Sequence, residues 1–132
     1  RPLDYIARFE ADSFATARQA LEGAVTDSNR SLGASPNEGR RDPAFEARVV
    51  LRIAYDINDG QGLYSEISQI IGFFNSLETC IEMKLCDSVV AHSFFDRYVS
   101  KFWSTFQPFV AHRRQTAPGY ADAMQRFVGP DN

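Results

Sequence analysis

The stretch from Ile67 to Arg113 decides the fold of this chain, and it reads ISQIIGFFNSLETCIEMKLCDSVVAHSFFDRYVSKFWSTFQPFVAHR. In its first part, apolar residues recur at the three-and-four spacing of a helix with one buried face: Ile67, Ile70, Ile71, Phe74, Leu77, Ile81 and Leu85. A second stripe of the same kind follows: Ala91, Phe95, Tyr98, Val99, Phe102, Phe106 and Phe109. The stretch therefore predicts two long antiparallel helices with a turn near Leu85–Asp87.

Pro108 lies inside the second stripe. A proline within a helix removes one backbone hydrogen bond and clashes with the preceding turn, so we expect a kink near Ser104–Gln107. Because the stripe continues beyond the proline to Arg113, the pattern favours one kinked helix over two separate helices.

The remainder of the chain predicts further helices at Pro2–Ser28, Ala44–Asn58 and Tyr120–Val128. Asn29–Pro43 concentrates Gly, Pro, Ser and Asn, which indicates a flexible loop. No segment alternates between apolar and polar residues as a strand does. The predicted fold class is all-α, a single-domain bundle of four to five helices spanning residues 1–132.

Composition narrows the functional classes. A chain of 132 residues with 44% hydrophobic content and eleven phenylalanines builds one real core and excludes a disordered protein. The net charge of −3 argues against nucleic-acid binding, which would need the arginines to gather on one face: Arg40, Arg41, Arg113 and Arg114. No run reaches the roughly 18 apolar residues of a membrane span. Because the sequence begins at Arg1, we interpret it as a piece of a longer chain.

Cys80 and Cys86 are six residues apart. On a continuous helix their side chains point about 240° apart, so a disulfide would require the helix to end between them. The spacing matches no common zinc motif. We interpret them as two reduced thiols and, on that ground, predict a cytoplasmic protein.

Glu78 falls in the middle of the first apolar stripe, and Asn75 lies at its edge one turn earlier. A carboxylate that faces a core without a partner costs several kcal/mol. We expect it to be a structural acid that is satisfied by Asn75, Tyr98 or Arg52. If the helices are antiparallel, His92 also comes within reach.

The alternative is a ligand-binding or enzymatic bundle that uses Glu78 with His92 or Tyr98, and it requires a solvent-connected cavity at Glu78. The di-iron pattern of Glu-x-x-His on two helices is absent. No order of Ser, His and Asp or of Cys and His fits a known nucleophilic site. We therefore predict no catalytic residue, metal or cofactor.

Trp103, Phe106 and Phe109, followed by Arg113 and Arg114, form a partner surface if the kink turns this face outward. Core packing is the other interpretation, and the helical spacing favours it. An aromatic surplus without a recognisable active site predicts a non-catalytic interaction domain, which binds another protein or a second copy of itself.

Three segments together resemble a mostly bacterial family filed as domain of unknown function 4760. They are Asp4–Phe9 with Ala17-Arg18, the central Ile71–Glu78, and Phe102-Trp103 through Pro108 to Arg113-Arg114. The resemblance implies an α-helical domain that is often carried behind an N-terminal membrane helix, on the cytoplasmic face of the inner membrane. It implies no reaction, and it places Asn75 and Glu78 in the family's central motif.

Overall fold

A computed structural model of the chain describes residues 5–7, 11–33, 43–55 and 62–129. After a helical turn at 5–7, this part of the chain forms five helices: α1 Asp12–Gly33, α2 Pro43–Tyr55, α3 Tyr64–Glu82, α4 Ser88–Arg114 and α5 Asp122–Val128. No strand occurs within these ranges. The predicted all-α fold is confirmed.

Helix α3 forms the centre of the bundle and packs against α1, α2 and α5. The apolar residues of its predicted stripe between Ile67 and Leu77 are at most 1% exposed. Near the start of α3, the centre of the Tyr64 ring lies 5.4 Å from that of Phe109, near the end of α4. Further along α3, the centre of the Phe74 ring lies 5.5 Å from that of Phe95, nearer the start of α4. Contacts that run in opposite directions along the two helices confirm the predicted antiparallel pair.

Helix α4 is continuous from Ser88 to Arg114 with Pro108 inside it, as expected, and the kink itself stays a prediction. The α4 helix begins at an N-cap, where an Asp87 carboxylate oxygen accepts a hydrogen bond from the Val90 N–H at 3.1 Å. The large side chains of the apolar stripe of α4 pack against α2, α3 and α5.

The three aromatic residues considered as a partner surface belong to this core. Trp103, Phe106 and Phe109 are each at most 3% exposed. Core packing is confirmed, and the prediction of a partner surface at these positions is wrong because the α4 stripe faces inward throughout.

The two arginines at the end of α4 also serve the fold. The Arg114 guanidinium donates to the Tyr120 carbonyl at 2.8 Å and to an Asp122 carboxylate oxygen at 3.0 Å. The Arg113 guanidinium lies 5.6 Å from the centre of the Tyr64 ring and 5.0 Å from that of Tyr120. Both cations join α4 to the segment leading into α5.

The loops begin and end differently from the prediction. Helix α1 continues through Gly33 and α2 starts at Pro43, so the ends of the predicted 29–43 loop are helical. Residues 34–42, which include Arg40 and Arg41, lie outside the described part of the chain. Residues 56–61 do so as well.

The turn after α3 brings the largest correction. Helix α3 ends at Glu82, and Lys84 takes the left-handed conformation with φ of 63°. The N–H groups of Lys84 and Leu85 then bond to the carbonyls of Ile81 and Cys80, both at 2.9 Å. This pattern is the Schellman motif, which reverses the chain at a helix end.

The reversal brings the Cα atoms of Cys80 and Cys86 to 5.3 Å, and a disulfide joins the two residues. The prediction of two reduced thiols is wrong because the helix does end between them. The cytoplasmic location that rested on reduced thiols loses that support.

Candidate functional site

Glu78 faces the core, as its place in the apolar stripe predicted. It is 9% exposed, and it is the only buried charged or polar residue in the described part of the chain. Such a group needs a partner or a proton.

Glu82, one turn further along α3, is that partner. The Glu78 carboxyl group hydrogen bonds to the carboxylate of Glu82. Glu82 in turn accepts two hydrogen bonds from Arg126 of α5, at 2.6 Å from Nε and 3.2 Å from Nη2. The chain of contacts therefore runs from the core acid through a second acid to a cation on another helix.

The two carboxyl groups titrate in opposite directions. Burial is the main cause that raises the pKa of Glu78 to about 7, and the hydrogen bond and the negative charge of Glu82 add to it, while Arg126 and His92 oppose it. The hydrogen bonds from Arg126 and then Glu78 lower the pKa of Glu82. Glu78 is accordingly protonated in mildly acidic solution, and its O–H donates a hydrogen bond to the Glu82 carboxylate.

His92 of α4 completes this acid cluster, which comprises Glu78, Glu82, His92, Asp96 and Arg126. The imidazole stacks on the Phe127 ring of α5 at 4.2 Å and an angle of 8°. Its Nδ1 lies 2.7 Å from an Asp96 carboxylate oxygen. The cluster thus lies where α3, α4 and α5 meet.

The three predicted partners of Glu78 have other roles. The Asn75 side-chain oxygen accepts a hydrogen bond from the Met124 N–H at 2.8 Å, which ties α5 to α3. The Tyr98 ring stacks on Phe74 at 6.2 Å. Burial is the first cause that raises the pKa of Tyr98, and Glu22 of α1 is the second.

Arg52 is exposed on α2, and the cation that acts on Glu78 is Arg126. Sequence reasoning missed Arg126, which is 44 residues away from Glu82, because no local pattern links positions so far apart.

Two concavities in the described part of the chain lie apart from the acid cluster. One concavity of about 390 Å³ lies beside the disulfide, and a second of about 190 Å³ lies between α1 and α4. Glu78 lines neither of them. Across the described ranges, no group of three or more His, Cys, Asp and Glu side chains is placed to hold a metal ion.

A second feature lies at the turn between α3 and α4, where large apolar side chains face solvent. Their exposed fractions range from 41% to 75%. We call these five residues the apolar tip: Met83, Leu85, Val89, Val90 and Phe94. Among the described residues only Tyr55 is a further large hydrophobic residue of this exposure, and its ring packs 5.9 Å from Phe109, far along α4 from the tip.

Sequence reasoning did not find the apolar tip, although a signal was present. Val90 and Phe94 lie off the buried stripe of α4, on the face where Arg97 and Lys101 lie, and Val89 lies between that face and the stripe. This face therefore carries two large apolar side chains, Val90 and Phe94, that are 41% and 43% exposed.

One line of side chains on this face carries a charge at each end. Asp87, Val90, Phe94 and Arg97 follow one another at spacings of three and four, and all of them are exposed. The acid lies at the start of α4 and the cation lies about 15 Å further along the helix axis. Two apolar side chains fill the space between them.

In the part of the chain that the structure describes, no helix has an apolar stretch long enough to cross a membrane.

Comparison with known proteins places the chain in a family. No curated protein and no solved structure matches the chain. A family model matches residues 2–128 and confirms the resemblance seen in the sequence. The chain therefore belongs to the family described as Domain of unknown function (DUF4760).

Proposed function

We propose that this domain is a non-catalytic helical interaction domain that pairs with a second copy of itself through the apolar tip. The observation that carries the proposal is the cluster of five large apolar side chains in solvent at one end of the bundle. Covering them removes apolar surface from water at about 25 cal/mol per Å².

The line along α4 is self-complementary, which favours a second copy over a different partner. In an antiparallel pair of α4 helices that is centred level with His92, Val90 lies opposite Phe94 of the other copy. The same register sets Asp87 opposite Arg97, since both pairs of numbers average to 92. A two-fold axis repeats each contact, so one register gives two apolar contacts and two ion pairs.

The size of the tip sets the expected strength. A few residues from one helix and one turn cover less than the ~800 Å² per partner of a standard interface. We therefore expect weak pairing, with a Kd in the micromolar range or above.

The disulfide supports a location other than the cytoplasm. Disulfides persist in oxidising compartments and are rare where glutathione keeps thiols reduced. We place the paired form of the domain in an oxidising compartment, where the turn that displays the tip stays closed.

Sedimentation equilibrium tests the proposal with two variants that each truncate one exposed aromatic side chain. Phe94 is 43% exposed in the tip and Tyr55 is 41% exposed away from it. We expect wild type and Tyr55→Ser to pair with the same Kd and Phe94→Ser to remain monomeric. A wild-type protein that stays monomeric up to its solubility limit, or equal pairing by all three proteins, would overturn the proposal.

A further inference from the structure

We propose that formation of the Cys80–Cys86 disulfide switches the pairing surface on, by holding the turn that exposes Leu85. The inference rests on the proposed self-pairing and adds its regulation. It is drawn from the geometry of the turn together with the residue pattern of α3.

The oxidised turn is held in a conformation that its own residues do not favour. Lys84 has φ of 63°, a left-handed conformation that glycine adopts freely and other residues rarely do. The N–H groups of Leu85 and Cys86 both bond to the Cys80 carbonyl, at 2.9 and 3.2 Å. The disulfide closes this same segment from residue 80 to residue 86 and so enforces the reversal.

Without the disulfide, the local sequence favours a longer α3. Met83, Lys84 and Leu85 are all among the strong helix formers. Leu85 follows Ile81 by one helical turn and continues the buried stripe of α3. In a helix that runs to Leu85, residues 86 and 87 form a two-residue connection to α4, which is within the range of short helix hairpins.

Extending α3 changes what the tip presents. Leu85 is 62% exposed in the oxidised protein. On an extended helix its side chain lies over the stripe that contains Leu77 and Ile81, and it leaves the solvent-facing patch. Reduction therefore removes one of the largest exposed apolar groups from the pairing surface and weakens self-association.

The two cysteines are 9% and 7% exposed, and exchange chemistry reaches the disulfide from the side of Cys80. Cys80 lines the open concavity of about 390 Å³, together with Tyr5, Thr79, Met83 and Leu85. In the forming direction, one cysteine thiolate attacks a sulfur of a small disulfide such as oxidised glutathione, and a glutathione thiolate leaves. The second cysteine thiolate then attacks the mixed disulfide. The protein gives up two electrons and two protons, and two glutathione thiols are formed.

The test compares oxidised wild type, wild type reduced with dithiothreitol, and the Cys80→Ser/Cys86→Ser variant. NMR Cα chemical shifts of residues 83–85 in dilute samples report the turn, and sedimentation equilibrium reports the Kd. We expect helical shifts at these residues in the reduced protein and the serine variant, with pairing at least ten-fold weaker than in the oxidised protein. If the serine variant does not fold, reduced wild type carries the same comparison.

The Lys84→Gly variant tests the conformation of the turn independently of the redox state of the cysteines. Glycine favours the left-handed conformation, so we expect the reduced Lys84→Gly protein to keep the turn and to pair within about three-fold of its oxidised form. Identical shifts before and after reduction of wild type, or equal pairing, would overturn the switch. A change of shifts in a protein that never pairs would support the turn switch and overturn the proposed self-pairing instead.

Discussion

The acid cluster and the apolar tip lie close together along α3 and α4, and they invert the usual distribution of residues. In the cluster, the ionisable residue Glu78 is 91% buried among core helices. In the tip, Val89 is 75% exposed. A buried acid is stabilised within its own chain by a proton and by Glu82, whereas an exposed apolar patch is stabilised only when another molecule covers it. The first feature thus serves the fold of its own chain, and the second is the surface on which the proposed self-pairing rests.

Removing the buried acid should have the largest effect. Glu78→Ala leaves a cavity and deletes the donor to Glu82, and we expect a loss of about 3 kcal/mol in the free energy of unfolding. Glu78→Gln keeps the shape and an N–H donor, and it should cost less than about 1 kcal/mol. Chemical denaturation measures both. Equal losses would show that the carboxyl group itself, and not its packing, is essential.

The raised pKa of Glu78 predicts a pH dependence. Its pKa is about 7 in the folded protein against 4.5 for an ordinary glutamate. Folding then favours the protonated form, so its stabilising contribution is complete below pH 4.5 and is lost as the pH rises through about 7. We expect a decrease on the order of 2 kcal/mol over this window, measured by urea unfolding at a series of pH values.

Glu78→Gln is the control for that profile, because the amide does not titrate and the decrease should disappear. Glu82, whose pKa is lowered, contributes in the opposite sense, with stability lost only as the pH falls below its unfolded value. A wild-type profile that matches Glu78→Gln between pH 4.5 and 7 would contradict the assignment.

Charge reversal tests the outward-facing region. Arg97→Glu places like charges opposite each other in two symmetry-related pairs, and since each exposed pair contributes ~0.5 kcal/mol, pairing should weaken about ten-fold. Arg52→Glu makes the same change of charge at an exposed position of α2, outside the proposed interface, and should leave the Kd unchanged. Sedimentation equilibrium at low ionic strength distinguishes them. Equal weakening in both variants would indicate a general charge effect and no defined register.

At position 84, in the turn between α3 and α4, glycine should stabilise the oxidised protein more than lysine does. In the oxidised protein, Lys84→Gly removes the left-handed strain at φ of 63° and should raise the free energy of unfolding by about 1 kcal/mol, while Lys84→Ala should not. Thermal unfolding of the three proteins measures the difference. A destabilising glycine would mean that the turn is not strained.

The sequence predicted what depends on local periodicity. The spacing of apolar residues along α3 and α4 predicted both helices, and the same spacing identified Glu78 as an acid in a buried stripe. It could not predict Arg126, because only the packing of α5 brings that cation to Glu82. The disulfide was missed because Lys84 gives no glycine signal for a helix end and Leu85 extends the stripe. The apolar residues off the α4 stripe were visible in the sequence, but only the structure shows that they are exposed.

The most direct test of the central claim is an isotope-filtered NOE measurement on a mixture of labelled and unlabelled oxidised protein. Antiparallel pairing of α4 predicts intermolecular NOEs between the Val90 methyl groups of one copy and the Phe94 ring of the other. At a protein concentration near the wild-type Kd, these NOEs should weaken in Arg97→Glu. Intermolecular NOEs from a different face, or none at concentrations where the protein is paired, would contradict self-association through the apolar tip.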